Sequence, residues 1–186
     1  YMTGIADETD RCIFGAYPGP LRNVFGLWVE ETDALYPEET NQIIMNENKE
    51  AYSCSFLCDR LRLENAKVLG TYGSDFYAGE PCVTVNEYGK GKAYYLGTQP
   101  DEAFLKIFVH KVCEETDVHP VLHVEEGIEV TSRENENGKF YFVMNHNAAE
   151  KQIVLPEGKW ENLIGAQPEN EKLILKARDV AVLKRR

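Results

Sequence analysis

The sequence is short of the features that most function classes require. No apolar run approaches the ~20 residues that cross a bilayer as a helix. The opening stretch from Tyr1 to Cys12 has neither the basic start nor the apolar core of an export signal. Neither a membrane nor export is expected, and the cytoplasm is the expected compartment. Basic charge is scarce as well: 20 Lys and Arg against 31 Asp and Glu leave a net charge of -11. Such an excess repels polyanions instead of steering them in, so nucleic acid is not an expected partner. The five cysteines, Cys12, Cys54, Cys58, Cys82 and Cys113, are odd in number and contain no C-x-x-C pair. That usage suits free thiols in a reducing compartment, packed as small hydrophobes.

Catalytic signatures are equally sparse. The four histidines, His110, His119, His123 and His146, are dispersed. His119 and His123 have i, i+4 spacing, but Pro120 interrupts the helix that would align them. Cys54 and Cys58 could share a helix face as a metal pair, yet two further ligands are missing nearby. None of the cysteines has the glycine-rich strand-to-helix elbow that lifts a thiol nucleophile above a sheet. Gly89 and Gly91 resemble a piece of a phosphate loop, but a strand follows them and no helix N-terminus is there to hold an anion. Glu30, Glu31 and Asp33 are clustered acids that read first as a solvated edge. On a strand Glu30 and Glu31 point to opposite faces, so the two carboxylates do not converge on one bond. Trp28, Trp160, Tyr17 and Tyr77 could stack on a sugar, although aromatics beside apolar neighbours are commonly core or interface. No catalytic, cofactor-binding or metal-binding residue is assigned.

With 186 residues and 43% hydrophobic content, the chain can hold one large or two small cores. Its centre is the stretch from Ala66 to Pro100. Val68, Leu69 and Tyr72 make one β-prone run, Cys82 to Val85 a second and Ala93 to Leu96 a third, with a hairpin at Tyr88-Gly89-Lys90-Gly91 whose glycines supply positive φ. A helix is expected from Pro100 to about Thr116, capped by Thr98. Phe104, Ile107, Phe108 and Val112 form its stripe, widened by Leu105 and Val109, and the strands are what it covers. Before the centre, residues 1–20 read as an arm anchored by Ile13, Phe14 and Tyr17, and a chain opening on such a segment looks cut from something longer. A short helix from Pro20 stops at Gly26, Leu27-Trp28-Val29 is a strand, Gln42 to Met45 another, and Lys49 to Leu63 a second helix.

After Asp117 the pattern changes to short β-prone runs every ~8–12 residues. They are Gly127 to Ser132, Lys139 to Asn145, Lys151 to Leu155, Lys159 to Leu163, Lys172 to Leu175 and Val180 to Lys184. Asn135-Glu136-Asn137-Gly138 marks a hairpin. The boundary falls near Val118 to Leu122, giving an α/β domain over 1–120 and an antiparallel β-sandwich over 121–186.

Several blocks occur in a recognisable order: Asp7-Glu8-x-Asp10-x-Cys12, Gly15-x-x-Pro18-Gly19-Pro20-Leu21-Arg22, and Gly26-Leu27-Trp28-Val29-Glu30-Glu31-x-Asp33-Ala34-Leu35-Tyr36-Pro37. Tyr72-Gly73-x-Asp75-Phe76-Tyr77-Ala78-Gly79-x-Pro81, Tyr88-Gly89-Lys90-Gly91-x-Ala93-Tyr94-Tyr95 and Pro100-Asp101-Glu102-Ala103-Phe104 follow. Together they resemble the middle domain of family 42 glycoside hydrolases, the β-galactosidases, and Gly127 to Asn147 resembles their small C-terminal β domain. The resemblance implies a partial amidotransferase-like (flavodoxin-like) α/β layer that builds a homotrimer, then the β-sandwich. It also implies that the two glutamates cleaving terminal β-galactosides lie on a barrel outside this chain. The chain is therefore expected to be a non-catalytic, self-associating scaffold. Two rivals remain: a free-standing galactoside-binding module using Trp28 or the sandwich aromatics, and an amidotransferase-like enzyme using Cys82 or Cys54.

Overall fold

The computed structural model describes residues 1–185, and its contacts divide the chain into two units, Tyr1–Val112 and Cys113–Arg186. The first unit is built on one sheet of seven strands. These are β1 (Leu27–Ala34), β2 (Asn41–Met45), β3 (Ala51–Leu63), β4 (Lys67–Tyr72), β5 (Pro81–Tyr88), β6 (Gly91–Leu96) and β7 (Thr98–Pro100). The order is β1-β3-β2-β4-β5-β6, with β7 paired to β3. Two helices accompany it, α1 (Arg22–Phe25) and α2 (Glu102–Glu115), with a 3-10 turn at Gly19–Leu21 before α1.

Each face of the sheet has its own core. On one face Ile43, Cys54, Cys58, Tyr72, Tyr77, Cys82 and Val83 pack with Phe104 of α2. Tyr52 meets Phe104 edge to face at 5.4 Å and Tyr94 meets Phe108 at 5.3 Å, so the helix docks on the strands through its aromatics. On the other face Leu27, Val29, Leu61 and Tyr95 pack with Phe25 of α1 and Tyr17 of the arm. α1 is only one turn long because Gly26, at φ 64, ends it. A Cβ there would lie 2.7 Å from the Asn86 side chain and 2.9 Å from the Ala66 nitrogen, so glycine is also what the packing admits.

Four expectations need correction. Residues 51–63 form a strand, not a helix. Cys54 and Cys58 are four residues apart, an even interval that suits one strand face as well as one helix face, and both are buried on the α2 side. A bulge at Phe56, φ 71, shifts the register against β7 between Ser55 and Cys58 and blurs the alternation. The cap of α2 is Asp101: its Oδ1 accepts the Phe104 N–H at 2.8 Å, while Thr98 is buried in β7. In the β5–β6 hairpin only Gly89 has positive φ, Gly91 being paired with Tyr88 as the first residue of β6. Phe14 anchors nothing, for its side chain is 99% exposed, whereas Tyr17 does anchor the arm. The sheet pairings are all antiparallel among the described residues, so the parallel crossovers of a flavodoxin-like layer are not seen in them.

The second unit is antiparallel β throughout. Its strands are β8 (Ile128–Asn135), β9 (Gly138–Asn145), β10 (Lys151–Val154), β11 (Trp160–Asn162), β12 (Lys172–Leu175) and β13 (Val180–Arg185). They form a four-stranded sheet, β11-β13-β9-β8, and a two-stranded sheet, β10-β12. Alternation along the strands puts Tyr141, Val143, Ala181 and Leu183 of one sheet against Ile153, Leu173 and Leu175 of the other, with Leu122 and Leu155 filling in. Asn145, 3% exposed, ties the connections: its Nδ2 donates to the Ala149 and Lys176 carbonyls at 2.9 and 2.8 Å.

Candidate functional site

The acids of β1 are ion-paired. Glu31 takes Arg60 of β3 at 2.9 Å, and Glu30 takes Arg62. A bulge between Val29 and Glu31 lets the neighbouring carboxylates meet different arginines. Asp33 instead accepts a hydrogen bond from the Tyr77 hydroxyl at 2.9 Å. Glu31 shares Arg60 with Glu80 and Glu30 pairs with Arg62, so the two carboxylates are alike in being ion-paired and lack the unlike environments that separate an acid from a nucleophile.

The thiols beneath α2 form the second cluster. Cys54, Cys58 and Cys82 are buried together, with Thr98 Oγ1 3.7 Å from Cys58 Sγ. The hydrogen bond shared by Cys54 and Cys58 pushes the Cys54 thiol up and favours the Cys58 thiolate. Desolvation pushes Cys82 up. All three lie at or below 1% exposure, so no substrate reaches them. The amidotransferase-like reading of Cys54 or Cys82 therefore lacks access. Among the described residues no group of three His, Cys, Asp or Glu could hold a metal ion. His119 pairs with Asp117 at 2.8 Å and His146 with Glu129 at 3.1 Å, both at the surface. His123 lines an open cleft of about 320 Å³ with Glu125, Ile128, Gln152 and Val154.

The sugar-stacking candidates are occupied. Trp28 has the Arg22 guanidinium over its ring at 5.6 Å. Trp160 packs edge to face on Tyr141 at 5.0 Å, and its Nε1–H donates to the Pro156 carbonyl. Tyr77 is fully buried. Each of these three rings is thus engaged within the protein.

Sequence reasoning missed two features. The first is Asp59, a fully buried carboxylate on the face opposite α2. Its Oδ1 accepts from Thr32 Oγ1 at 2.7 Å and Tyr17 Oη at 3.3 Å, and its Oδ2 from Tyr95 Oη at 2.8 Å. Burial holds the Tyr17 and Tyr95 phenols above their ordinary range, so both stay protonated donors. This network nails the arm and β1 to β3. Reading 51–63 as a strand would have exposed it, since Asp59 then alternates with Leu61 and Leu63. The second is the loop between β4 and β5, which holds Phe76 68% exposed beside Arg60 and Tyr77.

Residues 1–119 match the family described as "Beta-galactosidase trimerisation domain", and residues 127–185 match "Beta-galactosidase C-terminal domain". The β-galactosidase BgaP of Planococcus sp. (strain L4) is 43% identical over 98% of this chain and 28% of its own length. The β-galactosidase of Geobacillus kaustophilus is 41% identical over 99% of this chain and 27% of its own. The crystal structure of the β-galactosidase from Bacillus circulans sp. alkalophilus superposes with a TM-score of 0.90 at 38% identity, covering all of this chain and 28% of that one. The chain thus spans little more than a quarter of the relatives it matches. On these matches, the chain belongs to the family of β-galactosidase trimerisation domains and carries the β-galactosidase C-terminal domain after it.

Proposed function

We propose that the chain is the assembly scaffold of a family 42 β-galactosidase, and that residues elsewhere in the whole protein hydrolyse the terminal non-reducing β-galactose. The match of residues 1–119 to a trimerisation domain carries this reading. The site geometry supports it, because the candidate carboxylates are ion-paired and the candidate thiols are sealed. Residues 1–120 form the assembly domain and 121–186 the C-terminal β domain. The seven-stranded sheet under α2 belongs to a larger amidotransferase-like α/β layer, a reading supported by the helix-on-sheet packing and the family resemblance. The whole protein is a trimer of the cytoplasm, in keeping with five unpaired thiols, one of them exposed. No helix among the described residues is long and apolar enough to cross a membrane.

The test is hydrolysis of a chromogenic aryl β-galactoside by the purified chain. No release above a heat-killed control is expected. Turnover that survives purification to homogeneity would overturn the scaffold reading, since the chain would then hold a catalytic pair of its own.

A further inference from the structure

The loop spanning residues 73–80 is ordered far beyond what an exposed connection needs. Asn41, 3% exposed, accepts the Ser74 N–H at 3.0 Å and its hydroxyl at 2.8 Å through Oδ1, and donates to the Ser74 carbonyl at 3.1 Å through Nδ2. Gly79 N–H donates to the Tyr72 carbonyl at 2.8 Å, and Tyr72 N–H to the Glu80 carbonyl at 2.9 Å. Tyr77 is driven fully into the core and bonded to Asp33. Within this frame Asp75 takes φ +70, a conformation that costs a non-glycine residue free energy.

The frame holds one large apolar side chain out in solvent. Phe76 is 68% exposed, its ring set edge to face on Tyr77 at 4.8 Å and over the Arg60 guanidinium at 5.2 Å. Arg60 is itself fixed, by Glu80 at 2.6 Å and Glu31 at 2.9 Å. The ordering entropy of the Phe76 presentation is therefore already spent in the free protein. Preorganised aromatic side chains backed by arginine are the composition of interface hot spots. We propose that Phe76, on the loop of residues 73–80, is the contact through which one copy of this chain docks on the next. The occupant is a second copy because the loop lies inside the stretch matched to a trimerisation domain, and the inference rests on the assembly reading above. In a closed three-fold ring the contact is heterologous, so a single knob per copy suffices and need not meet its own equivalent.

The test compares the purified chain with Phe76→Ala and with Phe14→Ala, a control at another exposed phenylalanine. Each mass is followed over a concentration series by size exclusion with light scattering, and thermal melts verify folding. The unmutated chain is expected to be multimeric. Phe76→Ala should need at least about tenfold higher concentration to reach the same mass, the loss typical of a hot-spot truncation. Its melt as a monomer at high dilution should stay unchanged, and Phe14→Ala should behave as the unmutated chain. A Phe76→Ala variant that keeps its mass across the series overturns the docking role alone, and Phe76 then faces the remainder of the larger protein. Equal losses for both variants would also overturn it, by reducing the effect to general stickiness. A monomeric unmutated chain overturns the assembly reading and this inference with it.

Discussion

Replacing Asp59 by alanine is expected to lower the stability of the first unit by about 2–4 kcal/mol, read as a drop in the midpoint of denaturant unfolding followed by circular dichroism. Hydrogen bonds to a charged acceptor contribute about 1.5–3 kcal/mol, and stranding their buried donors adds to the loss. Three hydroxyls, from Thr32, Tyr17 and Tyr95, would lose their acceptor together, and Tyr95 is 2% exposed. Water cannot easily replace the carboxylate there. Asp59→Asn is the informative comparison. It keeps the volume and one acceptor oxygen, and the hydroxyls can turn to accept from its amide. Its cost should be roughly half or less of the alanine cost. Equal losses for both variants would mean that the charge matters more than the occupied hydrogen-bond positions. An unchanged midpoint for alanine would show that the arm is held by apolar packing alone.

The second large effect belongs to the β unit. Leu183 is fully buried in the middle of β13, opposite Tyr141 of β9 in the register and inside the core shared by the two sheets. Truncating a leucine in such a place costs about 2–5 kcal/mol, through lost transfer free energy and the cavity left behind. A unit of this size has about 4–10 kcal/mol in total, so Leu183→Ala should remove a large part of it. Ile174, in β12 between buried Leu173 and Leu175, is 54% exposed. Ile174→Ala should cost less than about 1 kcal/mol. Similar losses for the two variants would contradict the assignment of inward and outward faces.

Much of the β unit was legible because its strands obey one rule. Several of the short runs alternate inward and outward residues, turns with Gly, Pro or Asn separate most of them, and all six expected runs coincide with strands. The Asn135 to Gly138 hairpin follows from the same local chemistry. The first unit was harder because its longest strand, β3, is buried in part on both faces. Cys54 and Cys58 look toward α2 while Asp59 and Leu61 look toward the arm. A strand with two covered faces loses its alternation, and with apolar residues at 52, 56, 57 and 61 it imitates a helix. Misreading it hid the register that makes Asp59 an interior acceptor. α2 itself was placed correctly to within two residues, but its apolar face is broader than what the sheet covers. Leu105, Ile107 and Val109 remain 39%, 55% and 54% exposed, and local pattern does not say how much partner a helix will find.

What the candidate acids and thiols meet was legible only in part. Adjacent acids on a strand point to opposite faces, and the structure adds their partners, Arg62 for Glu30 and, shared with Glu80, Arg60 for Glu31. The thiols show the same logic, since no elbow lifts them and the fold seals them. Phe76 lies at the other extreme. Its block was recognised as a motif, but its exposure comes from Asn41, which holds the loop by bonding Ser74, 33 residues further along the chain. Such long-range buttressing leaves no periodic trace.

The central claim is that this chain carries assembly without chemistry, and its solution mass tests that claim most directly. Size exclusion with light scattering across a wide concentration range should give the mass of three chains, unchanged on dilution through the micromolar range. A mass of one chain at every concentration would contradict the account, because a scaffold that cannot bring its own copies together has no assembly role to perform.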